Sequence, residues 1–147
     1  SKKTSWVIAA REEKEKPWGN EYTWSSNNNV LVKTLNLEKG KKTSFKYNTN
    51  KDEMLIILSG KIIAFHGDEE VVTSGYGDFK ASELTQGMAL YVQSGCPYRL
   101  QATEYSVILE VSTALSGQIV RLHDEYGRDC VDVNDRIKGI IKKSWSL

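Results

Sequence analysis

Charge of one sign, long apolar runs, cysteine and histidine are all scarce in this chain, and each shortage excludes something. Twenty basic residues stand against nineteen acidic ones among 147, a formal net charge of +1. That balance gives no electrostatic reason to expect nucleic acid or an anionic membrane as a partner. The longest apolar runs, such as Met54 to Leu58, reach about five residues, against the roughly 18 needed to cross a bilayer as a helix. The first residues include Lys2 and Lys3 but only a short apolar run, Trp6 to Ala10, closed by Arg11-Glu12-Glu13-Lys14, so a signal-peptide core is not expected. Cys96 and Cys130 stand far apart and form neither a CxxC nor a disulfide framework, so two reduced thiols in a cytoplasmic protein are expected. Of the two histidines, His66 and His123, neither has a second imidazole at ligand spacing, and each reads as a solvated or core-edge side chain.

What remains is enough apolar material for one ordered core: 39% hydrophobic residues, 10% aromatic and 27% charged. From Val30 onward short runs rich in Val, Ile, Leu, Tyr and Phe alternate with turn residues, the rhythm of an all-β sandwich or barrel. Strands are expected at Val30 to Leu37, Thr43 to Tyr47, Glu53 to Leu58, Lys61 to His66, Met88 to Val92, Tyr98 to Ala102 and Tyr105 to Ser112. Ser59-Gly60 and His66-Gly67-Asp68 read as turns between them.

Three stretches fall outside that rhythm. Residues 1–29 read as a polar N-terminal arm. Val71 to Gln86 reads as a hairpin-like excursion about a tight turn at Ser74-Gly75-Tyr76-Gly77. In the tail, Ile137, Ile140, Ile141 and Trp145 recur at helical spacing behind an Asn134 or Asp135 cap, with Gly139 as a weak point inside the helix. The expected organisation is therefore an arm at 1–29, a β-barrel at 30–128 and a helical tail at 129–147.

Two spacings say more than composition. Gly40 is followed by five residues, Lys46-Tyr47-Asn48, four residues, Glu53, six residues and Gly60; Gly87 is followed by five residues, Gln93, one residue, Gly95, two residues and Tyr98. These resemble the two motifs of the cupin superfamily, small jelly-roll barrels. The resemblance implies an all-β cupin barrel in which the first motif supplies His-x-His and a Glu, and the second a third His, to a divalent metal. Here those positions hold Lys46, Asn48, Glu53 and Tyr98. An ammonium has no lone pair to donate, a neutral amide is a poor ligand, and a phenol must first lose its proton. The neighbouring register, Asn48-Thr49-Asn50, supplies no imidazole either. No metal cofactor is therefore expected.

Lys16-Pro17-Trp18-Gly19, Lys51-Asp52-Glu53, Leu109-Glu110-Val111, Val120-Arg121-Leu122 and Asp124-Glu125-Tyr126-Gly127-Arg128 resemble the cupin domain of type II mannose-6-phosphate isomerases, which also occurs fused to GDP-mannose pyrophosphorylases. That resemblance implies metal-dependent aldose–ketose isomerisation of a hexose phosphate, and the wider cupin resemblance implies a homodimer paired through the terminal arms.

Without the metal, Lys46 can supply the missing positive charge. The expectation is an internal Lys46–Glu53 ion pair, with Asn48 and Tyr98 closing its hydrogen bonds. Lys46, Asn48, Glu53 and Tyr98 are the candidate ligand-binding residues; Lys46 and Arg99 are the candidate phosphate or carboxylate contacts, and Tyr47, Tyr98 and Tyr91 the stacking or hydroxyl contacts. Arg99 neighbours Tyr98 on a strand, so the alternative is that it faces the other way. The expected ligand is a carbohydrate or phosphorylated small molecule. The same polar residues could instead merely satisfy one another. A third reading is metal-independent isomerisation or epimerisation, with Tyr98 or Glu53 as the candidate catalytic groups.

Overall fold

Side chains that alternate between apolar and polar point to opposite faces of a strand, and that alternation lays down the core of this molecule. In β5 (Glu53–Ser59), Glu53, Leu55 and Ile57 are buried while Met54 and Leu58 face outward. The computed structural model describes residues 2–26, 29–74, 77–113 and 117–144. Its other strands are β1 (Glu12–Lys16), β2 (Gly19–Ser26), β3 (Leu31–Leu37), β4 (Phe45–Asn48), β6 (Lys61–Gly67), β7 (Phe79–Thr85), β8 (Ala89–Val92), β9 (Tyr98–Ala102), β10 (Ser106–Ser112) and β11 (Ile119–His123). A short α1 (Glu70–Thr73) and a C-terminal α2 (Asp135–Ser144) complete it. The strands form two antiparallel sheets, β1-β2-β3-β10-β5-β8 and β11-β4-β9-β6-β7.

Every strand expected between Val30 and Ser112 is present. The Ser59-Gly60 turn is too: Gly60 sits at φ +92°, and a Cβ there would lie 2.3 Å from Ser106 Oγ. Four readings need correction. The polar segment before residue 29 contains β1 and β2, which extend the larger sheet, and Trp18 between them is buried in the core. His66 and Gly67 belong to β6, so that turn begins only at Asp68. The excursion holds α1 and then β7, which pairs with β6 from Thr85↔Lys61 to Phe79↔Gly67; Gly75 and Tyr76 lie outside the described residues. Residues 119–123, given no strand by their composition, form β11 against β4.

Two apolar clusters organise the packing. The first fills the space between the sheets with Leu37, Leu55, Ile57, Ile62, Leu100 and Ile108. The second lies outside the five-stranded sheet, where Phe45, Phe65 and Leu122 meet Ile137 and Ile141 of α2. Asn134 is the cap of α2, its Oδ1 accepting from the Ile137 amide at 2.9 Å. Trp145 lies outside the described residues. Among the described residues no helix is long and apolar enough to cross a membrane.

Candidate functional site

The apolar filling stops short of one end of the barrel. There the inward positions of both sheets become polar around a cavity of about 100 Å³. In β4, Lys46 and Asn48 face inward while Phe45 and Tyr47 pack toward α2. Tyr98 of β9 stands opposite Lys46, and Arg121 of β11 stands opposite Lys46 on its other side. The larger sheet answers with Glu53 of β5 and Glu110 of β10, which is paired across the strands with Lys33 of β3.

Glu53 is the hub. Its carboxylate accepts a hydrogen bond from Asn48 Nδ2, and the Tyr98 hydroxyl donates to both its oxygens at 3.2 Å. Glu110 is hydrogen-bonded to it as well. Burial, followed by the charge of Glu53, pushes the Glu110 carboxyl up to about 8, with Lys33 opposing. At neutral pH Glu110 therefore keeps its proton and shares it with Glu53 through that hydrogen bond, because like charges this close cannot both ionise cheaply. Burial and the same two carboxyls lift the Tyr98 hydroxyl well above its ordinary range, so it remains a donor.

Lys46 does not pair with Glu53 at contact distance, which corrects the expected ion pair. Its Nζ lies 4.9 Å from the centre of the Tyr98 ring, an attractive cation–π arrangement. The tyrosine thus stands between them, its ring face toward the ammonium and its hydroxyl on the carboxylate. Burial pulls the Lys46 ammonium below the usual lysine range, the carboxyls Glu53 and Glu110 oppose that fall, and Arg121 adds to it.

Lys46, Asn48, Glu53 and Tyr98 thus line one cavity. Arg99, Tyr47 and Tyr91 do not. Arg99, on the opposite face of β9 from Tyr98, is buried beneath α2 and donates to Ser144 Oγ at 2.5 Å. Tyr47 joins the cluster under that helix, and Tyr91 is exposed on β8. His66 bonds Ser82 Oγ at 2.9 Å, and His123 lies at the end of β11 beside Asp124 and Glu125, so neither histidine lines the cavity.

Residue-by-residue reading of the motifs passed over Glu110, Lys33, Arg121 and Arg128. The signal for Glu110 was a single charge within Ser-Val-Ile-Leu-Glu-Val-Ser, two residues from buried Ile108 and therefore on its inward face. The cations around the cavity are Lys16, Lys33, Lys46, Lys51, Arg121 and Arg128, against Glu21, Glu53 and Glu110. Lys16 and Lys33 share Glu21 at 3.5 and 3.7 Å. Arg128 grips Asp124 through Nη2 and Nε at 2.8 and 3.1 Å.

These residues do not fit a transition ion. The ligand-type groups at the point of convergence are the two carboxyls that share a proton, and an ammonium stands beside them. Among the described residues no group of three or more His, Cys, Asp or Glu side chains is placed to hold a metal.

No family model matches the sequence, and no curated protein matches it significantly. Solved structures do. An RmlC-like cupin from Shewanella frigidimarina superposes with a TM-score of 0.60 at 11% identity, over 79% of this chain and 94% of its own. The chain has the cupin fold. A double-stranded β-helix protein from Klebsiella pneumoniae (TM-score 0.59, 10% identity, 81% and 86% covered) and KdgF from Halomonas sp. (0.57, 10%, 71% and 88%) share it. At such identities the likeness of this chain to its neighbours is one of architecture. Its chemistry has to be argued from the cavity. All five stretches that carry the isomerase resemblance contribute a side chain to that cavity: Trp18, Glu53, Glu110, Arg121 and Arg128.

Proposed function

We propose that this cupin binds a small carbohydrate, a sugar or sugar phosphate, at the polar end of its barrel and does so without a metal ion. The observation that carries the reading is the wall chemistry: hydrogen-bonding side chains converge from both sheets on one cavity, under a rim of cations. Sugars present closely spaced hydroxyls that both donate and accept, which suits a carboxyl pair, an amide, a phenol and an ammonium in fixed positions. Trp18 adds a buried aromatic surface to the same wall. The resemblance to type II mannose-6-phosphate isomerases makes hexose phosphates the first compounds to try.

The test is a thermal-shift panel of hexoses and hexose phosphates followed by titration calorimetry on each hit. A raised unfolding midpoint is expected in the wild type, and Tyr98→Phe combined with Asn48→Ala should abolish it. A panel without a shift at millimolar concentration contradicts the proposal.

One observation favours a second reading, catalysis. A buried carboxyl raised to about 8, as Glu110 is beside Glu53, is a group that can give and take a proton near neutral pH. Incubation of a bound hexose phosphate in deuterated buffer distinguishes the two. Deuterium entering the carbon skeleton indicates isomerase or epimerase chemistry, and binding without exchange indicates a binding protein.

A further inference from the structure

A lysine that lines a cavity with no carboxylate against it becomes a nucleophile as soon as it gives up its proton. Lys46 is such a group. It is half-buried and lines the polar cavity, so a molecule bound there meets its side chain. No carboxylate among the described residues lies within ion-pair distance of its Nζ. Glu53, the acid expected to fill that place, is engaged with Asn48, Tyr98 and Glu110 instead. Arg121 stands directly across the strand pair from Lys46, and a fixed guanidinium beside an ammonium favours the free amine. Burial acts in the same direction and Arg128 adds to it, with Glu53 and Glu110 opposing. A proton carrier is at hand as well: Glu110, hydrogen-bonded to Glu53, lines the same cavity from the other sheet.

We propose that Lys46 is a nucleophile that captures a small α-hydroxy aldehyde or ketone as an imine, with Glu110 exchanging the protons of that step. The neutral Nζ adds its electron pair to the carbonyl carbon while the carbonyl oxygen takes a proton from Glu110, and the added nitrogen gives one back. A second proton from Glu110 lets the new hydroxyl leave as water. Amine, carbonyl and carboxylic acid thus give iminium, water and carboxylate. The face of the Tyr98 ring, 4.9 Å from Nζ, stabilises that cation as it does the ammonium. Asn48 and Glu53 offer the neighbouring hydroxyl a donor and an acceptor. Covalent capture goes beyond hydrogen-bonded sugar binding and is tested separately from it.

The experiment exposes wild type, Lys46→Arg and Glu110→Gln briefly to D-glyceraldehyde or dihydroxyacetone at neutral pH, reduces any imine with sodium borohydride and locates the alkylated lysines by peptide mass spectrometry. Glycerol, which has no carbonyl, is the blank. In wild type Lys46 should be labelled at least about tenfold faster than any other lysine, the gain that a tenfold larger share of free amine brings. Glu110→Gln should slow the labelling of Lys46 by about tenfold or more. Lys46→Arg, which keeps the charge, should label only at the slow rate of the remaining lysines. Labelling of the wild type spread over its lysines, with Lys46 no faster than the rest, overturns the imine and leaves the sugar-binding reading standing. Fast labelling of Lys46 in a protein whose unfolding midpoint no hexose or hexose phosphate raises upholds the imine and overturns that reading. An unchanged rate in Glu110→Gln overturns the role given to that carboxyl. Circular dichroism confirms that each variant is folded, and the wild-type map decides the nucleophile without them.

Discussion

Replacing Glu110 with glutamine isolates the proton that it shares with Glu53. In the folded protein burial and the neighbouring carboxylate raise Glu110 from 4.5 to about 8. The folded value lies above the unfolded one, so between those limits the native state binds more protons. The associated stability is complete below about pH 4.5 and is lost as pH rises through about 8. At about 1.4 kcal/mol per unit the full rise corresponds to about 5 kcal/mol. The opposing effect of Lys33 and Lys46 is already contained in that value; local relaxation and solvent screening reduce it further, and a loss of about 2–5 kcal/mol is expected. Glutamine is nearly isosteric, donates an N–H to Glu53 at every pH and does not titrate. Urea unfolding of both proteins at half-unit steps from pH 4.5 to 8.5 measures the difference. His66 and His123, which burial holds below the ordinary histidine range, contribute equally to both proteins and cancel. The wild type should lose stability relative to Glu110→Gln as pH rises, with the variant the more stable at pH 8.5. Parallel curves refute the shared proton.

Other outcomes follow from the packing. Gly60→Ala places a methyl 2.3 Å from Ser106 Oγ and 2.5 Å from the Tyr105 carbonyl oxygen, at φ +92°; it should cost at least about 2 kcal/mol, and an unchanged melting midpoint rejects the turn geometry. Ser144→Ala strips the acceptor from Arg99, whose Nη1 already lacks a partner among the described residues. It should cost about 1–3 kcal/mol and more than Arg99→Met, which removes charge and donors together; calorimetric scans giving the reverse order count against the account of how α2 docks. A homodimer is expected, because Met54, Leu58 and Tyr91 are 40%, 44% and 57% exposed on the outer face of the six-stranded sheet. Light scattering should return twice the mass of 16.6 kDa, and Met54→Lys with Tyr91→Lys should halve it; a wild-type monomer rejects that expectation.

The strands that were legible in the sequence include those with one face on the core, where burial imposes period 2, as in β3, β5 and β10, and β9, buried on both faces, read as a mostly apolar run. β1 and β7 were not. They are edge strands, and Glu-Glu-Lys-Glu-Lys and Phe-Lys-Ala-Ser-Glu-Leu-Thr carry the polarity that keeps an edge in water. β11 lies at the opposite edge of the five-stranded sheet from β7 and was read only as a motif. Spacing brought Lys46, Asn48, Glu53 and Tyr98 to one place because alternation within β4 and the register between β4 and β9 are local properties. The partnership of Glu53 was not legible. Glu110 lies far off in sequence, and only the pairing of β10 with β5 brings it alongside. Arg99 illustrates the converse. Its charge suggested a ligand contact while its parity with Tyr98 pointed to the other face, and the parity prevails; the helix that covers it there was not legible.

The most direct test of the central claim is one crystallographic experiment, on crystals soaked in mannose 6-phosphate and measured across the absorption edges of manganese, iron and zinc. The account predicts a sugar or sugar phosphate in the cavity, its hydroxyls on Asn48, Glu53, Tyr98 and Glu110, with no anomalous peak beside Glu53. A metal ion bound by Glu53, or a ligand seated anywhere else on the molecule, contradicts it.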